Sequence, residues 1–153
     1  MLTFSQMFIR LLLAILLGAI MGFERERLGK EAGIRTAMLV SAGASIFTMI
    51  SVSIPHLTGV EPVGILPDRV ISNIVVGIGF LGAGIMIQSG ERGRGLTTAA
   101  LIWTVAAIGT LVGLGLFDFA ATTAITLSGL LYLTRRIGLS ERVRPKEHSP
   151  KEH

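Results

Sequence analysis

The sequence has no cysteine and little charge: Asp, Glu, Lys and Arg together make up 16% of its 153 residues. Without cysteine, neither a disulfide framework nor a thiolate metal site can form. The three histidines, His56, His148 and His153, are scattered and offer no zinc-type ligand spacing. A soluble domain carries about 25% charged residues, so the deficit argues against one. The net charge of +4 and a pI near 10.3 could suit nucleic acid. The basic residues, however, lie in short segments between apolar runs and not along one face, and this excludes that partner.

What the chain does have is long apolar runs. Residues 36–54, 70–90 and 95–117 contain no charged side chain, and residues 2–23 contain only Arg10. A helix crossing the hydrocarbon core needs about 20 such residues. A shorter run, 119–134, is extended by Leu116 to Asp118 at one end and by snorkelling of Arg135 and Arg136 at the other. The expected fold is therefore an all-α integral membrane protein, a bundle of five transmembrane helices at about 4–23, 36–54, 69–89, 96–114 and 117–134. Residues 137–153, with the repeated PKEHSPKEH, read as a polar, disordered tail. The first run is expected to stay as a permanent helix, because its charges follow the apolar core instead of preceding it.

Twelve of the fourteen basic residues fall in the first and third loops and the tail, and the alternate loops carry none. By the positive-inside rule the N-terminus is outside and the C-terminus cytoplasmic.

The stretch VVGIGFLGAGIM holds Gly77, Gly79 and Gly82 in the spacing of a dinucleotide fingerprint. That fingerprint also needs a carboxylate about 20 positions on, where this chain has the apolar segment around Ile102 and Trp103. No nucleotide, and no other cofactor, is implied. Between membrane helices small residues allow close approach. Gly18 and Gly22 form G-x-x-x-G in the first helix, and Gly109 and Gly113 form another in the fourth. In the third helix, Arg69, Asn73, Gly77, Phe80, Gly84 and Gln88 share one stripe, with Gly82 on roughly the opposite side. Small residues on two faces make this helix the expected centre of the bundle, and its stripe reads either as a polar track or as a packed face with polar ends.

Arg10 is the one charge well inside a run. It is expected either to pair with Asp68 or Asp118 or to snorkel. In GFERERLGKEAGIRT, Glu24 and Glu26 could hold a divalent cation, but Arg25, Arg27 and Arg35 are close enough to neutralise them. A salt-bridge cluster or a lipid-headgroup contact is the favoured reading. Thr97 or Thr98 is expected to cap the fourth helix, and Trp103 to lie in packing. No nucleophile–base pair, carboxylate dyad or metal-ligand cluster is visible, which argues against an enzyme.

Three segments, GFERERLGKEAGIRTAMLVSAGASIF, PDRVISNIVVGIGFLGAGIM and RGLTTAALIWTVAAIGTLVGLG, together resemble the MgtC/SapB family of bacterial inner-membrane proteins. They cover most of the apolar part in the family's order. The chain departs from the family pattern in three places. Leu66 stands where an acid usually precedes the proline of an acid-Pro-x-Arg motif, with Asp68 at the x position. Asn73 stands for glutamine, and Ala37 for a common histidine. The chain resembles the short SapB-type members, which lack the C-terminal ACT-like domain. The resemblance implies a multi-pass protein of the bacterial inner membrane linked to magnesium homeostasis or growth in low magnesium. It implies action on another membrane complex, the F-type ATP synthase among them, and is compatible with a homo-oligomer in the lipid bilayer. A regulator or interaction partner is the preferred reading, and a divalent-cation transporter or channel is the alternative. The candidate functional residues are Glu24, Arg25, Glu26, Arg35 and Thr36; Asp68, Arg69 and Asn73; Gly77, Gly79, Gly82 and Gly84; and Arg94, Thr97 and Thr98.

Overall fold

The computed structural model describes residues 2–30, 32–59, 67–88 and 95–137. The described residues form five helices: α1 (Phe4–Arg27), α2 (Ile34–Thr58), α3 (Pro67–Gln88), α4 (Leu96–Leu114) and α5 (Phe117–Arg136). Each is long and apolar enough to cross a membrane. The shortest, α4, has 19 residues, about 28 Å at 1.5 Å per residue, close to the thickness of the hydrocarbon core. The fold is all-α, with no strand among the described residues. The proposed tail falls outside them from residue 138 onward.

Local chemistry sets the helix ends. Thr3 and Gln6 close a capping box at the start of α1, with Thr3 N donating to Gln6 Oε1 at 3.0 Å. α1 continues past residue 23 through Glu-Arg-Glu-Arg, all good helix formers. Its last turn carries Arg25 and Arg27, cations suited to the negative end of the helix dipole. Pro67 opens α3, where its missing N–H has no helical partner to lose. α4 ends in a Schellman motif: Leu116 N donates to Leu111 O at 2.9 Å and Gly115 N to Val112 O at 3.0 Å. The motif needs the left-handed conformation that Gly115 supplies at φ 89°.

The core lies where α1, α2, α4 and α5 meet, built from Leu17, Met21, Leu101, Val105, Ile108, Val112, Ala120 and Ala124. α4 touches each of the other four helices, whereas α3 packs only against α2 and α4. Half of the spans of α2 and α4 is buried, against 6% of α3. The expectation that the third helix is central is therefore corrected: α4 occupies the centre and α3 lies on the outside. α1 and α5 run in the same direction, with Arg10 beside Phe117 at one end and Ser128 donating to Met21 Sδ further along.

The glycines of α1 and α4 explain the tight centre. A Cβ on Gly18 would lie 2.7 Å from Ala37 O, and one on Gly22 2.7 Å from Ile34 Cα. From α4, a Cβ on Gly109 would overlap the Ser41 carbonyl, and one on Gly113 would lie 2.6 Å from Thr48 Cβ. Both G-x-x-x-G motifs therefore grip the same face of α2, one toward its N-terminus and one further along, and meet at Ser41. Among the described residues, Gly82 alone of the α3 glycines has a neighbour, Ala99 Cβ at 3.3 Å, while nothing comes within 4 Å of a Cβ on Gly77, Gly79 or Gly84.

Candidate functional site

The end of α1, the start of α2 and the start of α4 converge on a polar junction. Arg25 is only 8% exposed, and its Nη2 donates to the hydroxyl of Thr98, itself buried in the first turn of α4. A buried guanidinium needs such acceptors because desolvation is otherwise costly. Beside it, Glu26 reaches across the turn, and its Oε2 accepts from Ile34 N at 2.9 Å, capping α2. The N-terminal backbone N–H groups of a helix favour a carboxylate there. Gly33 leaves it room, since a Cβ at that position would run into the carboxylate. Glu24 Oε2 is buried and has no hydrogen-bond partner among the described residues. Arg27 stands over the Phe23 ring at 4.7 Å, exposed at the rim.

The candidate residues thus divide. Glu24, Arg25, Glu26 and Thr98 gather at this junction, with Arg35 and Thr36 exposed on the first turn of α2 and Thr97 exposed on α4. Glu24, Arg25 and Glu26 lie on α1 and not in a loop. Neither threonine caps α4: its N-cap is Gly95, and Thr98 serves Arg25 instead. Arg69 and Asn73 are exposed on α3, away from the junction. Asn73 and Gly77 line an apolar groove of about 500 Å³ between α2 and α3. Arg94 and the Asp68 side chain lie outside the described residues. Among the described residues, no group of three acidic or histidine side chains is placed to hold a metal ion.

Arg10 does not meet Asp118, and the other expected pair, with Asp68, lies outside the described residues. Its Nη1 donates to Gly113 O at 2.5 Å and its guanidinium stands 5.8 Å from the centre of the Phe117 ring, while Asp118 remains exposed. The carbonyls at a helix C-terminus lack internal partners and accept a cation well. Trp103, expected in packing, is 54% exposed.

One polar row escaped the sequence reading. Ser41, Ser45 and Thr48 are fully buried on α2, between the two glycine motifs. Thr48 Oγ1 donates back to Ala44 O at 2.7 Å, while the hydroxyls of Ser41 and Ser45 have no partner among the described residues. Their helical spacing inside the 36–54 run was the available signal.

This apolar five-helix architecture, with charged residues at the helix ends, agrees with the sequence comparisons, in which residues 11–139 match the MgtC family. The chain belongs to the MgtC family. Among its relatives, SrpB of Synechococcus elongatus is 39% identical over 138 residues, covering 82% of this chain and 75% of SrpB. MgtC of Salmonella typhimurium strain LT2 is 43% identical over 125 residues, covering 80% of this chain and 51% of MgtC. The Escherichia coli K12 protein named "Putative magnesium transporter YhiD" is 35% identical over 138 residues, covering 87% of this chain and 64% of YhiD. The chain thus spans about half the length of MgtC and under two thirds of YhiD. No solved structure matches it. Family membership and the five apolar helices place this MgtC-family chain in the inner membrane as a multi-pass protein.

Proposed function

We propose that this MgtC-family protein is a regulator that docks against another membrane complex and is tied to magnesium homeostasis. The observation that carries this is the position of α3. The helix richest in glycine is the least covered, and Gly79, Gly84, Val76 and Phe80 have little or nothing against them among the described residues. Small residues on an outward face let a foreign helix approach closely, which is how helices associate in lipid. The basic residues at the end shared by α1 and α5 fit a cytoplasmic C-terminus. The family resemblance makes the F-type ATP synthase the first complex to look for.

A photo-crosslinking amino acid at Val76 or Phe80, in the full chain in bacterial membranes, tests this. The expected result is an adduct to another membrane protein that disappears on Gly84→Leu, with thermal stability not reduced. Adducts to lipid alone would refute it.

The name of YhiD supports a second reading, a cation transporter. The assay is magnesium entry into proteoliposomes holding an internal indicator, beside empty liposomes and the Arg69→Ala Asn73→Ala variant. Saturable entry, lost in the variant, would replace the regulator with a transporter.

A further inference from the structure

We infer that the groove between α2 and α3 is a phospholipid site: it takes one acyl chain, Asn73 meets the ester region and Arg69 meets the phosphate. The inference does not depend on the regulator reading, although Phe80 and Gly84 of that reading share a stripe of α3 with Asn73 and Gly77.

Size decides the occupant. The groove is walled by Val40, Ala44 and Phe47 of α2 and by Val70, Ile74 and Leu81 of α3, among others, with a volume of about 500 Å³. From Val70 to Leu81 it runs about 16 Å along α3, at 1.5 Å per residue. A helix of that length and about 10 Å diameter occupies about 1,300 Å³, so it would lie across the groove and leave its floor unfilled. A methylene group is about the size of a water molecule, roughly 30 Å³, so about sixteen fit. One leaflet of hydrocarbon is about 15 Å deep, half of the core thickness, and this matches the groove's length. The occupant is a single hydrocarbon chain and not a transmembrane helix.

The polar residues fall in the order that a phospholipid requires. Asn73 is the one polar side chain in the lining and stands near its α3 N-terminal end. Arg69, exposed, is one turn further toward that helix end. Four residues of rise separate them by about 6 Å, and the headgroup layer on each side of the core is about 5–7 Å thick. Arg69 stands at the edge of the span, from where its long side chain snorkels to the phosphate level, and Asn73 lies about one turn inside it. There a guanidinium forms charge-assisted hydrogen bonds to phosphate oxygens, and the asparagine N–H₂ donates to an ester carbonyl. On the helix the row Arg69, Asn73, Gly77, Leu81 drifts by about 40° per step, so it winds from the outer face into the groove. Gly43 and Gly77 keep the floor low, as neither has a neighbour within 4 Å of where a Cβ would be.

The full chain is purified in mild detergent, delipidated, and titrated with phosphatidylglycerol, with bound lipid counted by native mass spectrometry. The wild type is expected to saturate at one lipid per chain. Gly77→Leu, which fills the groove from open space, and Arg69→Ala should each weaken retention by about tenfold or more. Arg135→Ala, a basic residue elsewhere, should bind as the wild type does. Circular dichroism and the thermal midpoint confirm that each variant is folded, and Asn73→Leu supplies a second polar test should Arg69→Ala misfold. Equal binding by wild type, Gly77→Leu and Arg69→Ala would overturn the site. Equal loss in Arg135→Ala would reduce it to unspecific attraction between basic residues and anionic lipid. A groove crosslinker at Phe47 that captures protein in place of lipid would also overturn it.

Discussion

Alanine is among the mildest replacements a membrane helix can receive, yet it should have opposite effects at two glycines of this chain. Gly109 on α4 is pressed against the backbone of α2, where a Cβ would overlap the Ser41 carbonyl. A backbone group cannot rotate aside, so α4 must move away from α2, the other helix whose span is half buried. Overpacking of this kind costs about 1–3 kcal/mol, and its upper end applies. The better helix propensity of alanine returns about 0.5–1 kcal/mol, leaving a net loss of about 2 kcal/mol. Gly84 on α3 has nothing within 4 Å, so Gly84→Ala keeps only the propensity gain of about 0.5–1 kcal/mol. At Gly82, where Ala99 Cβ would be 3.3 Å away, the effect falls between the two. At about 2–4 °C per kcal/mol for a chain of this size, Gly109→Ala and Gly84→Ala should differ by about 5–12 °C. Thermal unfolding of the purified variants in one detergent measures this. Equal midpoints, or the reverse order, would refute the assignment of α4 as the central helix.

Thr98→Val removes an acceptor from the buried Arg25 guanidinium and should cost about 1–3 kcal/mol, whereas Thr98→Ser should recover most of it in the same thermal assay. Glu26→Ala deletes the cap on Ile34 N and should cost about 0.5–2 kcal/mol; hydrogen exchange at the Ile34 amide should quicken, and much less in Glu26→Gln. Ser45→Ala removes a buried hydroxyl that has no partner among the described residues, so its thermal midpoint should match or exceed the wild type's, since leaving such a group unsatisfied costs about 1–3 kcal/mol. A clear loss of stability in Ser45→Ala would mean that the hydroxyl is bonded in the membrane.

The spans were legible because apolar length is a local property, and uncharged runs near 20 residues have few alternatives to membrane helices. The two G-x-x-x-G motifs were legible as contact faces for the same reason: spacing alone places both glycines on one side. Which helix is central was not legible. Small residues on two faces of the third helix show that it could be approached closely, but the partner can be another helix of the same chain, another protein or lipid. Only long-range packing chooses, and it chose α4, whose own glycines are fewer. The junction was half legible. The alternating charges of GFERER marked it, but Thr98 is 73 residues from Arg25 in the chain, and no spacing rule joins them. A cap was the natural expectation for a threonine near a helix start. Gly95 took that position, leaving Thr98 turned inward.

The outlying position of α3 also bears on how the chain is built during synthesis. Helices enter the membrane in sequence order, N-terminal first. α1 and α2 can close on each other at once, through Gly18 and Gly22. α3 follows with only a loose flank of α2 to lean on, and the surface that fixes it, around Ala99 beside Gly82, belongs to α4, which has not yet been made. The third helix therefore waits in the bilayer, with its glycines bare, until the fourth wedges in between its neighbours. That interval is a window in which a newly made protein, still incomplete, is open to lipids and to other chains inserting nearby.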